Sequence, residues 1–368
     1  MRSGFTLSIY PWVFIAKYDG NGAWKSEYRE QPHGTPDEEA AMSPEDLDAL
    51  LARRNSFPDL PLVNYTSQYG LGCFEGLKSL PQPGGGLKTF RPDQNAARLA
   101  RSMEGLHMTP FPEELFLEAV DTLLSRNAAV GFIPVYDPEW EGDNFASGHS
   151  VYIRPFTYSE PAIGLSLSMS PWVVIVTTPV GSYFRPGNHK AVTTDKVRAH
   201  PGGTGWIKCD ANYVTPILVK RAAETEGYME AVFLDAKEGR YVEEGSSCNI
   251  FFLLKDGTLV TPSLEDTILP GITRRSILDL AADMGIPTEE RRVDIAEVLS
   301  DVNEAFVTGT AAGVAYIESM THRGKTSVFN NGKIGDVTLE LQKTLKGIQY
   351  GAVPDSHGWM RPAPGTPA

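Results

Sequence analysis

Lys208 stands between a glycine-rich turn and a helix start, in the run Gly202-Gly203-Thr204-Gly205-Trp206-Ile207-Lys208-Cys209-Asp210-Ala211-Asn212-Tyr213. The glycines let the backbone bend tightly and keep bulk away from whatever sits there. An amine held in such a confined place has a use if it must be neutral and attack a carbonyl. Burial and neighbouring positive charge both favour loss of its proton. A glycine loop with a solvated lysine is the plainer alternative for this stretch alone. Downstream, Val242-Glu243-Glu244-Gly245-Ser246-Ser247-Cys248-Asn249 sets acids beside small hydroxyl-bearing residues and runs into the apolar strand Ile250-Phe251-Phe252. In Leu269-Pro270-Gly271-Ile272-Thr273-Arg274-Arg275 a helix begins after Pro-Gly, and free N–H groups at a helix start suit a phosphate. A fourth segment, Thr308-Gly309-Thr310-Ala311-Ala312, reads as a polar turn between strands.

Together these four segments resemble the fold-type-IV pyridoxal-phosphate enzymes, and most closely the branched-chain amino acid aminotransferases. The resemblance runs from about Tyr65 to about Trp359. It implies pyridoxal 5′-phosphate as cofactor, and Lys208 as the catalytic lysine that carries it and moves the proton. Tyr213 matches the tyrosine that contacts the ring oxygen. Glu244 matches the acid facing the ring nitrogen, because the family places that acid five residues before the asparagine, here Asn249. Its neighbour Glu243 is the alternative. Ser247 keeps a hydroxyl where some relatives have threonine. The phosphate would be held by Ile272 and Thr273 at the helix start, by Thr310, and by Arg98 in Ala97-Arg98-Leu99, with Arg101 as the near alternative.

The same resemblance implies a substrate pocket. In Tyr152-Ile153-Arg154-Pro155 the arginine would meet the distal carboxylate of glutamate, since its fork pairs with carboxylate in two bonds. The tyrosine would lie near the α-carboxylate. Tyr69, Phe74 and Tyr183 would line the pocket, and the backbone N–H groups of Ala311 and Ala312 would receive the α-carboxylate. The implied reaction is exchange of amino groups among leucine, isoleucine, valine and glutamate, with 2-oxoglutarate as acceptor. Rival readings are a D-amino acid aminotransferase or an aminodeoxychorismate lyase of the same fold, and a binding protein that keeps the fold without activity.

These residues need elements to position them. The chain has 368 residues, 41% hydrophobic and 21% charged, which suits two soluble domains. The expected fold class is α+β / α/β, a two-domain fold-type-IV aminotransferase. A small α+β domain would span 1–184, with a family-divergent extension at 1–60. An interdomain loop would cover 185–194, and a larger barrel-like cofactor domain 195–368, ending in a loose tail beyond Gly351. Strands are expected at 6–18, 72–80, 87–91, 150–158 and 172–180. Helices are expected at 44–53, capped by Ser43, at 93–105, and at 112–126, where Phe116, Ala119, Val120, Leu123 and Leu124 recur at helical spacing. In the second half, helices are expected at 212–227, 273–284 and 339–348. Strands are expected at 231–235, 249–254, 258–261, 304–308 and 314–317.

Other chemistry is disfavoured. Gly70-Leu71-Gly72-Cys73-Phe74-Glu75-Gly76 misses the dinucleotide fingerprint by one position and lacks its βαβ setting. The lysine turn lacks the Gly-Lys-Ser/Thr ending of a P-loop. A net charge of −13 argues against nucleic acid as a partner. No residue spacing suggests a metal site. No apolar run reaches the ~20 residues that span a bilayer. Three scattered cysteines fit a reducing compartment, so a cytoplasmic protein is expected, and the resemblance implies a homodimer.

Overall fold

A computed structural model describes residues 8–181 and 187–366, which fall into two units: 8–181 with 347–366, and 187–346. Tyr183 therefore lies outside the described residues.

The first unit is built on one antiparallel sheet. Its strands are β1 (Trp12–Tyr18), β2 (Trp24–Glu30), β3 (Leu77–Pro81), β4 (Leu87–Phe90), β5 (Ser150–Tyr158) and β6 (Trp172–Val180). With Met360–Pro362 at one edge, the order is Met360–Pro362, β4, β3, β5, β6, β1, β2. Its helices are α1 (Pro36–Ala41), α2 (Pro44–Arg54), α3 (Tyr65–Tyr69), α4 (Pro92–Gly105) and α5 (Glu113–Ala129). The expected stripe on α5 is the buried one. It packs against β1 and β6, and Asn127 fixes its register by accepting from the Trp12 N–H at 3.0 Å and donating to Thr177 Oγ1 at 3.2 Å. Ser43 caps α2 as expected, accepting from the Asp46 N–H at 3.1 Å.

Two expectations are corrected here. The polar segment before α1 contains β2, an edge strand whose residues are mostly exposed, so it carries no apolar alternation to announce it. The chain beyond Gly351 does not trail loosely from the second unit. Met360–Pro362 pairs with β4, and the Trp359 carbonyl accepts from the Arg91 N–H at 2.8 Å. Residues 8–60, within the family-divergent extension, pack into this same unit. Arg54, 1% exposed, donates to the Ile9 and Pro32 carbonyls at 3.0 Å and pairs with buried Glu39.

The second unit comprises β7 (Lys190–Thr193), α6 (Val214–Thr225), β8 (Glu230–Leu234), β9 (Tyr241–Gly245), β10 (Asn249–Leu254), β11 (Leu259–Pro262), α7 (Ile272–Asp283), β12 (Thr288–Arg291), β13 (Val293–Asp294), α8 (Ile295–Asp301), β14 (Val302–Gly309), β15 (Gly313–Ile317), β16 (Ser319–His322), β17 (Lys325–Val328) and most of α9 (Asp336–Tyr350), whose last four residues belong to the first unit. Its strands form two mixed sheets, β12-β11-β10-β14-β15 and β13-β9-β8-β7-β16-β17. Val232, Val242, Ile250, Phe252, Val307 and Met320 meet in one core drawn from both sheets, which is the expected barrel-like fold class. Part of the expected interdomain loop is strand: β7 runs parallel to both β8 and β16. A four-residue strand is too short to be told from a loop by pattern alone.

Candidate active site

The lysine turn is held from two directions. The Trp206 N–H donates to the Asp266 carbonyl at 2.9 Å, and a Cβ on Gly205 would stand 2.6 Å from Thr267 Cα. Only glycine permits that approach to the 265–268 segment. Asn212 then clamps the turn from within, donating to the carbonyls of Thr204 at 2.6 Å and Ile207 at 3.0 Å. The result is a half-buried Lys208 whose Nζ donates to the Tyr213 hydroxyl at 2.7 Å.

Glu243 and Glu244 are successive residues of β9, so they face opposite sides of the strand. Glu244 is 3% exposed and pairs with Arg198 at 2.8 Å, while its Oε1 accepts from the Leu269 N–H at 3.1 Å. Burial pushes its carboxyl up to about 7. Arg198 and the Leu269 N–H oppose the rise, Glu243 adds to it, and the charge of Lys208 opposes it in turn. Glu243 accepts from the Thr267 hydroxyl at 2.7 Å, and burial raises its carboxyl as well. The charge of Lys208 thus acts on Glu244.

Asn249 joins the remaining parts. It donates to the Leu269 carbonyl at 2.9 Å and lies so close to Gly271 that a Cβ there would be 1.9 Å from Asn249 Oδ1. Gly271 opens α7 with no side-chain cap, leaving the first N–H groups of Ile272 and Thr273 without intrahelical acceptors. Asn249 also pairs with Thr308 across β10 and β14, which sets the Thr310-Ala311-Ala312 turn at the same end. Ser247 is exposed, and a Cβ on Gly309 would lie 3.7 Å from its carbonyl oxygen. The second unit thus gathers Lys208, Tyr213, Glu244, Ser247, Ile272, Thr273, Thr310, Ala311 and Ala312 around linked segments. Thr308 Oγ1 is buried there with no partner among the described residues.

In the first unit, Phe74-Glu75-Gly76 serves two clusters. Glu75, fully buried, accepts from Arg98 Nε at 2.6 Å and Nη2 at 2.9 Å, with Asn95 adding a bond at 2.6 Å. Arg101, the alternative to Arg98, is exposed. On the other side Arg154 lies over the Phe74 ring, 4.6 Å from its centroid, and donates to the Tyr152 hydroxyl at 2.8 Å. Gly76 leaves room for that phenol. Arg154 Nε is buried and has no acceptor among the described residues. Tyr69 is 45% exposed at the end of α3.

The amino-transferase class IV family matches residues 72–320. Branched-chain-amino-acid transaminase 1 of Bacillus subtilis (strain 168) is 39% identical over 301 residues, covering 79% of this chain and 81% of that one. The chain belongs to the class IV aminotransferases, in their branched-chain group. Two solved structures are similar. One is the branched-chain aminotransferase of Thermoproteus uzoniensis with norvaline, at TM-score 0.71 and 29% identity. The other is the T.th. branched-chain amino acid aminotransferase with pyridoxamine 5′-phosphate, at TM-score 0.69 and 26% identity. Each covers 83% of this chain and 94% of its own.

Sequence reasoning missed Arg198 in this class IV aminotransferase. In Lys196-Val197-Arg198-Ala199 it reads as a solvated arginine, yet its side chain is 5% exposed and bonded to Glu244 and to the Thr267 carbonyl at 2.9 Å. Its only signal is a place upstream of Lys208 in the same glycine-rich loop.

The raised Glu244 carboxyl has a measurable consequence. Between the ordinary carboxylate range of ~4.3 and about 7, the folded chain keeps a proton that the unfolded chain has released. Cofactor-free protein should therefore lose stability as pH rises through that window. Glu244→Gln removes this titration while Glu243 remains, so its urea midpoint should fall less with pH than that of the wild type. Parallel profiles would mean that Glu244 is already ionised at the acid end.

Proposed function

We propose that this protein transfers amino groups between leucine, isoleucine or valine and 2-oxoglutarate, with pyridoxal 5′-phosphate as cofactor. The observation that carries this reading is Lys208 held on Tyr213 at 2.7 Å, its charge acting on the buried carboxylate of Glu244. The residues suit the cofactor: an amine for its aldehyde, a phenol for its ring oxygen, a buried acid for its ring nitrogen, and an uncapped helix start for its phosphate. The T.th. relative carries pyridoxamine 5′-phosphate, which supports the same assignment.

When bound, pyridoxal phosphate supplies an electron sink for the charge left at the substrate Cα. Lys208 takes the proton from Cα and returns it. Tyr213 orients the amine. Glu244 holds a proton on the ring nitrogen, and Arg198 keeps that carboxylate charged as it does so. Ile272, Thr273, Thr310 and Ser247 donate to the phosphate. The family resemblance adds Arg98 as a phosphate donor, and Glu75 holds its guanidinium in one orientation. The N–H groups of Ala311 and Ala312 receive the α-carboxylate. Tyr69, Phe74 and Tyr152 offer rings to an aliphatic side chain, and Arg154 meets the distal carboxylate of glutamate. Its buried, unpartnered Nε supports that role.

No helix among the described residues is long and apolar enough to cross a membrane. The three cysteines are buried free thiols, which supports a cytoplasmic setting. We also propose a homodimer. Leu62, Val63, Ile163, Leu165 and Met169 are exposed on adjoining segments of the first unit, joined where the Ala162 N–H donates to the Val63 carbonyl at 3.1 Å. Contiguous apolar exposure marks an association surface. Sedimentation velocity at micromolar concentration should give a dimer, and a monomer would overturn this assignment.

The function is tested with a panel of L- and D-amino acids against 2-oxoglutarate. Lys208→Ala should abolish transamination in a folded protein, and borohydride should fix the cofactor to Lys208 in the wild type. A cofactor trapped on Lys220 instead would sink the assignment. Arg154→Met should slow the glutamate half-reaction far more than the leucine one in single-turnover measurements. Losing a charge-assisted hydrogen bond costs ~1.5–3 kcal/mol, a selective loss of roughly ten- to a hundredfold. Equal losses would mean that Arg154 grips the shared α-carboxylate.

A further inference from the structure

Glu230, the first residue of β8, is 1% exposed and has no place in the chemistry above. Its carboxylate is nevertheless heavily bonded. Oε1 accepts from the Ala231 and Ser246 N–H groups, each at 3.0 Å, and from the Ser246 hydroxyl. Oε2 accepts from Lys220 Nζ at 3.2 Å and from the Cys248 thiol at 3.5 Å. Burial, and then the charge of Glu230, raise the Cys248 thiol well above its usual range, so it stays a donor.

The donors come from two places that matter. Ser246 and Cys248 flank Ser247 in the turn between β9, which carries Glu244, and β10, which begins with Asn249. Lys220 lies on α6, which follows directly from the Asp210–Tyr213 turn after Lys208. A buried carboxylate has strong reason to hold such donors, since leaving it unpaired is costly. Moving either element away from Glu230 would strand its charge.

We propose that Glu230 is a positioning residue that holds the Ser246–Cys248 turn after β9 and helix α6 after the lysine turn in register for cofactor binding. The inference rests on the proposed reading of the site and adds a residue to it. Ser247 is presented at the tip because both its neighbours are tied down to Glu230. Lys208 and Tyr213 keep their place relative to that tip because α6 is tied to the same carboxylate. Glu230 touches neither substrate nor cofactor and acts through these contacts.

The test uses full-length protein stripped of cofactor and titrated with pyridoxal 5′-phosphate, followed by quenching of protein fluorescence. Glu230→Gln turns an amide N–H₂ or a neutral oxygen toward Lys220 and Cys248, ending the ion pair. The expected result is a tenfold or greater rise in the cofactor Kd and a tenfold or greater drop in kcat, with KM for leucine within threefold of wild type. Adding Lys220→Met, which removes the stranded ammonium, should recover part of the cofactor affinity. Where Glu230→Gln does not fold, Ser246→Ala serves, since it keeps the ion pair and cuts one tie to the turn. A three- to tenfold rise in cofactor Kd is expected for it. A merely structural Glu230 would lower the Tm and leave Kd and kcat within twofold of wild type, which would overturn the proposal, as would an unchanged Kd for Ser246→Ala. Wild-type protein that binds no pyridoxal phosphate would take down the functional reading and this inference together. Wild-type binding matched by the variants would take down this inference alone.

Discussion

A carboxylate removed from water must be matched, and the matching of Glu244 organises the second unit. Arg198 at 2.8 Å and the Leu269 N–H at 3.1 Å supply the charge and the hydrogen bond. Arg198 is in turn fixed by the Thr267 carbonyl, and the Thr267 hydroxyl is taken by Glu243. The 266–271 segment is therefore drawn against β9. The same segment accepts from the Trp206 N–H of the lysine turn and ends at Gly271, where α7 begins. Acid, lysine and helix start depend on one short stretch of chain because each is bonded to it.

Three buried arginines are matched in the same way, and the half-buried Arg154 is not. Arg54 has Glu39, Arg98 has Glu75 and Arg274 has Glu290. Each pair meets the rule that buried charge needs a partner. Arg154 has a phenol and a phenyl ring instead, and no carboxylate among the described residues. An arginine left in that state has capacity for an anion from outside the chain. That contrast, more than its position in an apolar strand, supports its assignment to substrate.

Legibility in the sequence followed the range of the physics. Features set by nearest neighbours along the chain were readable: the Ser43 cap and the apolar stripe of α5. Strand β2 was not, because an edge strand with an exposed face lacks apolar alternation. Met360–Pro362 was not, because a proline-rich tail carries no local signal for the strand it will join.

The order of residues carries the chemical inventory: a lysine among glycines, an acid at set spacing from Asn249, a helix start after Pro-Gly, and the family these imply. Those are covalent facts about order and side-chain type. The partners of the two adjacent glutamates were decided by the pleat of β9 and its neighbours, Arg198 for Glu244 and Thr267 for Glu243. Arg198 and Glu230 could not be singled out from their surroundings in the chain. Their importance comes from burial and from partners distant in sequence, Glu244 for one and Ser246 for the other. Electrostatic matching in a low-dielectric interior is a property of the fold, so only the tertiary structure could assign it.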